Sequence, residues 1–123
     1  MKAIRFHEHG GIEVLRYEDV PEPGIRGNEV LVRVRACALN HLDLWVRQGL
    51  PGVKVPLPHI SGSDIAGEVV QTGELATRVR VGDKVIIAPG LSCGQCRECL
   101  SGRDNLCRFY DIIGGYRTDG GYA

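Results

Sequence analysis

Four closely spaced cysteines in the last third of the chain constrain its fold more than any other feature. Cys93, Cys96, Cys99 and Cys107 follow the pattern C-x2-C-x2-C-x7-C within 15 residues. Four thiolates at such spacing suit tetrahedral Zn2+, which accepts all-cysteine ligand sets. Because all four positions are cysteine, none is left for water or substrate. The pattern therefore predicts a closed, structural zinc site.

Three other states of these cysteines stay open as alternatives. Two disulfides would suit a secreted protein, but the N-terminus is charged too early and too often for a signal peptide. An iron–sulfur cluster also uses C-x2-C-x2-C, but its usual fourth cysteine comes after three residues and before proline; here it comes after seven and before Arg108. Unligated thiols are the third alternative. The fifth cysteine, Cys37, is expected to pack as a small apolar residue.

Composition excludes several classes of protein. The chain has 123 residues, 24% of them charged, with 15 basic and 15 acidic side chains. This balance is not that of a disordered tail or a nucleic-acid-binding domain. The apolar runs are short, so no membrane span is expected. We predict one cytoplasmic domain over residues 1–123 that binds neither nucleic acid nor membrane.

Short apolar–polar alternation predicts strands at residues 3–6, 13–19, 30–37, 65–71 and 83–88. In the third of these, Val30, Val32, Val34 and Ala36 are expected to share one face. The 17 glycines favour a small barrel or strongly bent sheet, or else simply mark turns. Either interpretation gives a mainly β domain.

One short helix is expected after the third strand. Asn40 is a good N-cap residue, with Asp43 three positions on, and Gly49 can end the helix in the left-handed conformation. Leu42, Trp45 and Val46 then share an apolar face.

Several motifs together resemble the N-terminal domain of the medium-chain dehydrogenase/reductase family, which includes zinc alcohol dehydrogenases and quinone oxidoreductase-like enzymes. The motifs run in the family's order and cover the whole chain: MKA at 1–3, VLVRV at 30–34, ALNHLDL at 38–44, GSDIAGEVV at 62–70, VGDKV at 81–85, the four cysteines, and DGGYA at 119–123.

The resemblance implies a GroES-like twisted, partly open β-barrel with one or two short helices and a structural-zinc lobe over residues 89–113. It also implies a following Rossmann domain that binds NAD(P)H, but no G-x-G-x-x-G motif opens a helix in this chain. We therefore expect an incomplete domain of a longer enzyme, inactive alone. The parent would act on a small molecule and form a homo-oligomer through the missing domain.

The resemblance also aligns the family's catalytic-zinc positions with residues of this chain. Asn40 stands where zinc alcohol dehydrogenases have a cysteine ligand, Ser63 where they have a histidine ligand, and Asp64 where they have the next glutamate. Asn and Ser are poor zinc ligands. Cys37 and His59 lie three or four residues from the matching positions, and the fixed geometry of zinc sites disfavours them as substitute ligands.

The family's proton-relay positions are changed as well. Leu42 replaces the relay Ser or Thr, and Trp45 stands where some members have a relay histidine. Leu42 cannot pass a proton, and we expect both side chains to pack in the core because they lie on the apolar face of the helix. A site without these groups is poorly suited to oxidising an alcohol.

The resemblance therefore predicts an NAD(P)H-dependent reductase of activated C=C bonds or quinones, with structural but no catalytic zinc. Asn40, Ser63 and Asp64 are the candidate catalytic residues and His41 the candidate cofactor-binding residue. Helix capping for Asn40, turn stabilisation for Ser63 and Asp64, and ordinary packing for His41 are their structural alternatives. The alternatives for the whole protein are a zinc alcohol dehydrogenase with altered ligands and a non-catalytic, zinc-stabilised binding module.

Overall fold

A computed structural model describes residues 1–123 and shows a mainly β domain with two short α-helices, α1 (His41–Gln48) and α2 (Arg97–Leu100). Two 3-10 turns span Ile12–Val14 and Asp104–Leu106. The strands are β1 (Lys2–Phe6), β2 (Leu15–Asp19), β3 (Val30–Ala38), β4 (Asp64–Thr72), β5 (Lys84–Ile86), β6 (Gly90–Leu91) and β7 (Asp111–Ile112). The predicted fold class is confirmed.

The strands form three separate antiparallel sheets, with orders β1-β2, β3-β4-β5 and β6-β7. They do not close into a full barrel. A cavity of about 570 Å3 opens beside β3, where Val32 and Val34 face Val20 and Ile60. The barrel is therefore partly open, as the resemblance implies.

The predicted face of β3 is interrupted at a β-bulge. Pairing with β4 shifts register between Leu31 and Val32 and again between Val34 and Ala36. Val30, Val32 and Val34 are half-buried as expected, but Ala36 is exposed. The prediction for Ala36 is wrong because the extra residue of a bulge moves the following side chains to the other face.

The second and last predicted strands are shorter than expected. Residues 12–14 form a 3-10 turn in which the Val14 N–H donates to the Gly11 carbonyl, and Val14 is buried in the core. β5 spans Lys84–Ile86, although the Ile87 N–H and the Asp83 carbonyl on either side of it also form backbone hydrogen bonds with β4, to Ile65 and Val69. Apolar alternation cannot show that a strand begins after such a turn or where its ladder ends.

Helix α1 anchors the main hydrophobic cluster. Val46 is fully buried against Phe6, Val14 and Val55, and Leu42 packs on the same cluster. Trp45 differs from the prediction: its side chain is 48% exposed, and its ring lies 5.0 Å from that of His41. Core packing is thus confirmed for Leu42 and wrong for Trp45, which points away from this cluster.

No helix within residues 1–123 combines the length and the apolar character that crossing a membrane requires.

Candidate functional site

The four lobe cysteines converge on one point. The sulfur atoms of Cys93, Cys96, Cys99 and Cys107 all lie within 4.8 Å of one another. The Sγ–Sγ distances are 3.4 Å from Cys96 to Cys99 and 3.9 Å from Cys93 to Cys99. Tetrahedral zinc with bonds of ~2.3 Å separates its sulfurs by about 3.8 Å. The donor set and its spacing therefore fit a zinc ion.

Backbone N–H groups of the lobe favour the thiolate form of Cys93 and donate to the Cys107 sulfur. Hydrogen bonds from the backbone N–H groups of Gln95 and Cys96 lower the pKa of Cys93 to about 6. The N–H groups of Cys93 and Phe109 donate to the Cys107 sulfur at 3.5 and 3.4 Å. Hydrogen bonds from these N–H groups stabilise negative charge on the two sulfur atoms.

Local turns and a strand pair bring the cysteines together. Gly94 and Gly102 have φ of 70° and 74°, in the left-handed region that glycine tolerates best. β6 and β7 pair at the base of the lobe, and the Ile113 N–H donates to the Pro89 carbonyl at 2.9 Å. The chain enters and leaves the lobe at this ladder.

The second group of candidate residues meets where β3 ends and β4 begins. Ala38 pairs with Asp64 across the ladder, so Asn40, two residues later, comes next to Asp64. Asn40 Nδ2 donates to Asp64 Oδ2 at 2.9 Å. Asn40 is half-buried and Asp64 is exposed, so this pair lies at the surface of a cleft beside the start of α1.

Asp43 was not singled out from the sequence as a site residue, but it is the most connected side chain here. Its carboxylate is buried and accepts hydrogen bonds from the Asn40 N–H at 2.7 Å, the Gly62 N–H at 3.1 Å and the Tyr122 hydroxyl at 2.7 Å. We call Asp43 with these three partners the Asp43 network. The Asn40–Asp43 spacing was the available signal, since it matches a capping box.

The DGGYA motif, residues 119–123, places Tyr122 of this network next to Gly62. Its backbone pairs with residues 60–62: Gly120, Gly121 and Tyr122 donate to the carbonyls of Ile60, Gly62 and Ser61 at 2.7, 2.9 and 3.1 Å. The Ile4 N–H of β1 donates to the Tyr122 carbonyl at 2.7 Å. The segment therefore lies between β1 and the loop before β4.

The other candidate residues have different surroundings. The Ser63 hydroxyl is buried and donates to the Ile113 carbonyl at 2.7 Å, which joins the loop to the base of the lobe. His41, the first residue of α1, is exposed and borders a mostly apolar cavity of about 410 Å3 that also contacts Asn40 and Arg47. The structure thus brings Asn40 and Asp64 together and turns Ser63 inward.

The residues considered as substitute ligands are engaged inside the domain. His59 is only 2% exposed; its Nε2 lies 3.5 Å from the Gly114 carbonyl and its Nδ1 lies 3.4 Å from Asp119. Cys37 is half-buried against Gly62 and Gly121. Within residues 1–123, the four lobe cysteines are the one group of three or more His, Cys, Asp or Glu whose ligand atoms converge.

The surroundings of Cys37 predict low reactivity. Burial, with Asp43 and Asp64 nearby, raises the pKa of the Cys37 thiol. Since the thiolate is the nucleophile, we expect alkylation of Cys37 by iodoacetamide at pH 8 to be at least about tenfold slower than that of glutathione. Mass spectrometry of the zinc-loaded protein measures this rate. A rate equal to that of glutathione would contradict the prediction.

Known proteins resemble this chain over nearly its whole length. The profile of the family described as "Alcohol dehydrogenase GroES-like domain" matches residues 26–123. An alcohol dehydrogenase of Geobacillus stearothermophilus is 39% identical over 100% of this chain and 36% of its own length. A quinone oxidoreductase of Sus scrofa is 36% identical over 86% of this chain and 32% of its own.

The fold comparison agrees with the sequence comparison. A crystal structure of an NAD-dependent alcohol dehydrogenase superposes with a TM-score of 0.92 at 48% identity, covering 97% of this chain and 35% of that one. The chain thus spans about a third of the length of these relatives. With the family profile, the identities and the fold in agreement, the chain belongs to the GroES-like domain family of the alcohol dehydrogenases.

Proposed function

We propose that this chain is the N-terminal domain of an NAD(P)H-dependent oxidoreductase that transfers hydride to an activated C=C bond or a quinone. The observation that carries the proposal is the 2.9 Å hydrogen bond between Asn40 and Asp64. These are the positions at which the family resemblance places a zinc-binding cysteine and the glutamate of the second ligand's motif. An amide bonded to a carboxylate supplies neither the thiolate nor the imidazole of that zinc site.

The neighbouring side chains are consistent with this assignment. Ser63, at the position of the histidine ligand, donates its hydroxyl to a backbone carbonyl inside the domain. His59 is buried between Phe6, Gly114 and Asp119, and Cys37 lies against glycines. The donor set at this cleft does not fit a catalytic zinc ion.

The chain's own residues can position a nicotinamide cofactor and stabilise charge. The bound nicotinamide would supply the hydride, which goes to the β-carbon of an enone or to a quinone, while water supplies the proton. His41 lies at the N-terminus of α1, where backbone N–H groups and an imidazole donor favour a pyrophosphate. The Asn40 amide has a second N–H for the substrate oxygen on which negative charge develops.

The lobe is proposed to hold one structural zinc ion. Cys93, Cys96, Cys99 and Cys107 supply four thiolates and leave no open coordination position. Zinc there would stabilise the segment that ends at Ile113, whose carbonyl accepts the Ser63 hydroxyl. The zinc would thus support the cleft without taking part in the reaction.

The proposal predicts one zinc ion per full-length chain, and reduction of a quinone or enone by NAD(P)H. Asn40→Ala should lower kcat by about 10- to 100-fold, because a preorganised donor to the developing charge is lost. Elemental analysis measures the zinc content, and steady-state kinetics with NAD(P)H measure the reduction and its kcat. Asn28→Ala, at an exposed turn, is the matched control and should leave kcat unchanged.

A second candidate is a zinc alcohol dehydrogenase with altered ligands, which the names of the relatives favour. Two zinc ions per chain, with alcohol oxidation abolished by a chelator that leaves the fold intact, would establish it and overturn the first proposal. A third candidate is a non-catalytic binding module. It would be favoured if the full-length protein binds neither NADH nor NADPH.

A further inference from the structure

The two oxygens of the Asp43 carboxylate hold the two sides of the cleft. Oδ2 accepts the backbone N–H of Asn40 at 2.7 Å, and Oδ1 accepts that of Gly62, two residues before Asp64, at 3.1 Å. Asn40 and Asp64 are themselves bonded through their side chains. One buried carboxylate therefore bridges the two backbones that carry this pair, just beyond the end of the β3–β4 ladder.

Tyr122 fixes the orientation of that carboxylate. Its hydroxyl donates to Asp43 Oδ2 at 2.7 Å. Its ring lies directly over Gly62, where an added Cβ would come within 2.9 Å of the ring carbon Cδ1. Tyr122, which is 79 residues from Asp43 in the sequence, thus contacts both parts of the cleft: its hydroxyl binds Asp43 and its ring packs on Gly62.

The buried setting makes this arrangement rigid. Asp43 is only 7% exposed, and three donors from within the domain, two backbone N–H groups and the Tyr122 hydroxyl, bind its carboxylate. Removing the Tyr122 hydroxyl leaves Oδ2 with one donor and lets the carboxylate rotate. A rotation would move the Asn40 N–H and the Gly62 N–H by different amounts, because they bind different oxygens.

We propose that Asp43 and Tyr122 are positioning residues for the reaction. Acting through the backbones of Asn40 and Gly62, they hold the Asn40 amide where it can donate to the substrate oxygen as charge develops. This inference rests on the proposed function, since it assigns that role to Asn40. We therefore expect loss of the Tyr122 hydroxyl to lower kcat more than it raises KM. The reason is that the hydrogen bond from the Asn40 amide to the substrate oxygen strengthens as negative charge develops in the transition state.

The test is a double-mutant cycle in the full-length protein with NAD(P)H and a quinone or enone. Tyr122→Phe keeps the ring and should lower kcat about tenfold with KM changed less than about twofold, the size expected when one charge-assisted hydrogen bond is lost. In an Asn40→Ala background the same change should lower kcat by less than about twofold, because the residue it positions is gone. Tyr17→Phe, on the exposed face of β2, is the matched control.

Equal effects of Tyr122→Phe in both backgrounds, or no effect on kcat, would overturn the proposal. If the wild-type protein reduces no quinone or enone, the proposed function fails instead. The structural part of the inference, that Tyr122 holds residues 40–44 and 61–64 in place through Asp43, is then decided by hydrogen–deuterium exchange in the same full-length variants. Faster exchange over residues 40–44 and 61–64 in Tyr122→Phe, but not in Tyr17→Phe, supports it. Unchanged exchange over both segments overturns it.

Discussion

Removal of zinc is expected to unfold the cysteine lobe while the β3–β4 ladder stays folded. The lobe contains only two short helical turns and a two-residue strand pair, and α2 has no buried residue. Such a segment has too little apolar contact to offset its conformational entropy. Structural zinc sites contribute on the order of 10 kcal/mol of apparent binding free energy, which here becomes the folding free energy of the lobe.

Cys107→Ser provides the sharpest version of this experiment. Cys107 is the buried member of the ligand set, and its sulfur also accepts two backbone N–H groups. The variant should lose the structural zinc ion, so that it holds one zinc ion fewer per chain than the wild type. Its amide exchange should accelerate over residues 92–110. β4, whose Val69 is 1% exposed, should keep its protection.

Cys37→Ala is the control, because Cys37 lies outside the converging cysteines. It should leave exchange in the lobe unchanged. Elemental analysis and exchange mass spectrometry of the two variants give the comparison. An unchanged exchange rate over residues 92–110 in Cys107→Ser, or after chelation, would show that zinc does not hold the lobe.

The sequence predicts the lobe well because its determinants are local. Four ligands within 15 residues and two glycines with positive φ form a site whose geometry depends little on the rest of the chain. Helix α1 is predicted equally well, since Asn40 and Gly49 mark its two ends. Such signals act over a few residues, where spacing alone determines which side chains meet.

Prediction fails where distant segments decide the outcome. Ala36 changes face at a bulge that only its pairing with β4 reveals. Trp45 lies at the expected position on α1, yet no element of residues 1–123 covers it fully. The hydrogen bond between Asp43 and Tyr122 joins residues 79 positions apart, and no local pattern indicates that they meet. The cleft is therefore less predictable than the metal centre.

Gly120→Ala is expected to destabilise the domain strongly. A Cβ at Gly120 would lie 2.4 Å from the Gly62 carbonyl oxygen and 2.5 Å from that of Ser61. Both contacts are backbone atoms, so no side-chain rotation relieves them. Residues 119–122 and 60–62 must separate, which weakens the bonds that Gly120, Gly121 and Tyr122 donate to that loop.

The expected destabilisation is about 3 kcal/mol, at the upper end of what overpacking costs. Because the same segment carries Tyr122, the shift should also draw its hydroxyl away from Asp43 and lower kcat in the full-length protein. Urea denaturation followed by circular dichroism measures the stability. Gly24→Ala is the matched control, since nothing lies within 4 Å of its added Cβ and its φ is not positive. Equal stabilities of the two variants would show that residues 119–122 do not pack against residues 60–62 as described. The placement of Tyr122 beside Asp43 would then be wrong as well, since it depends on that packing.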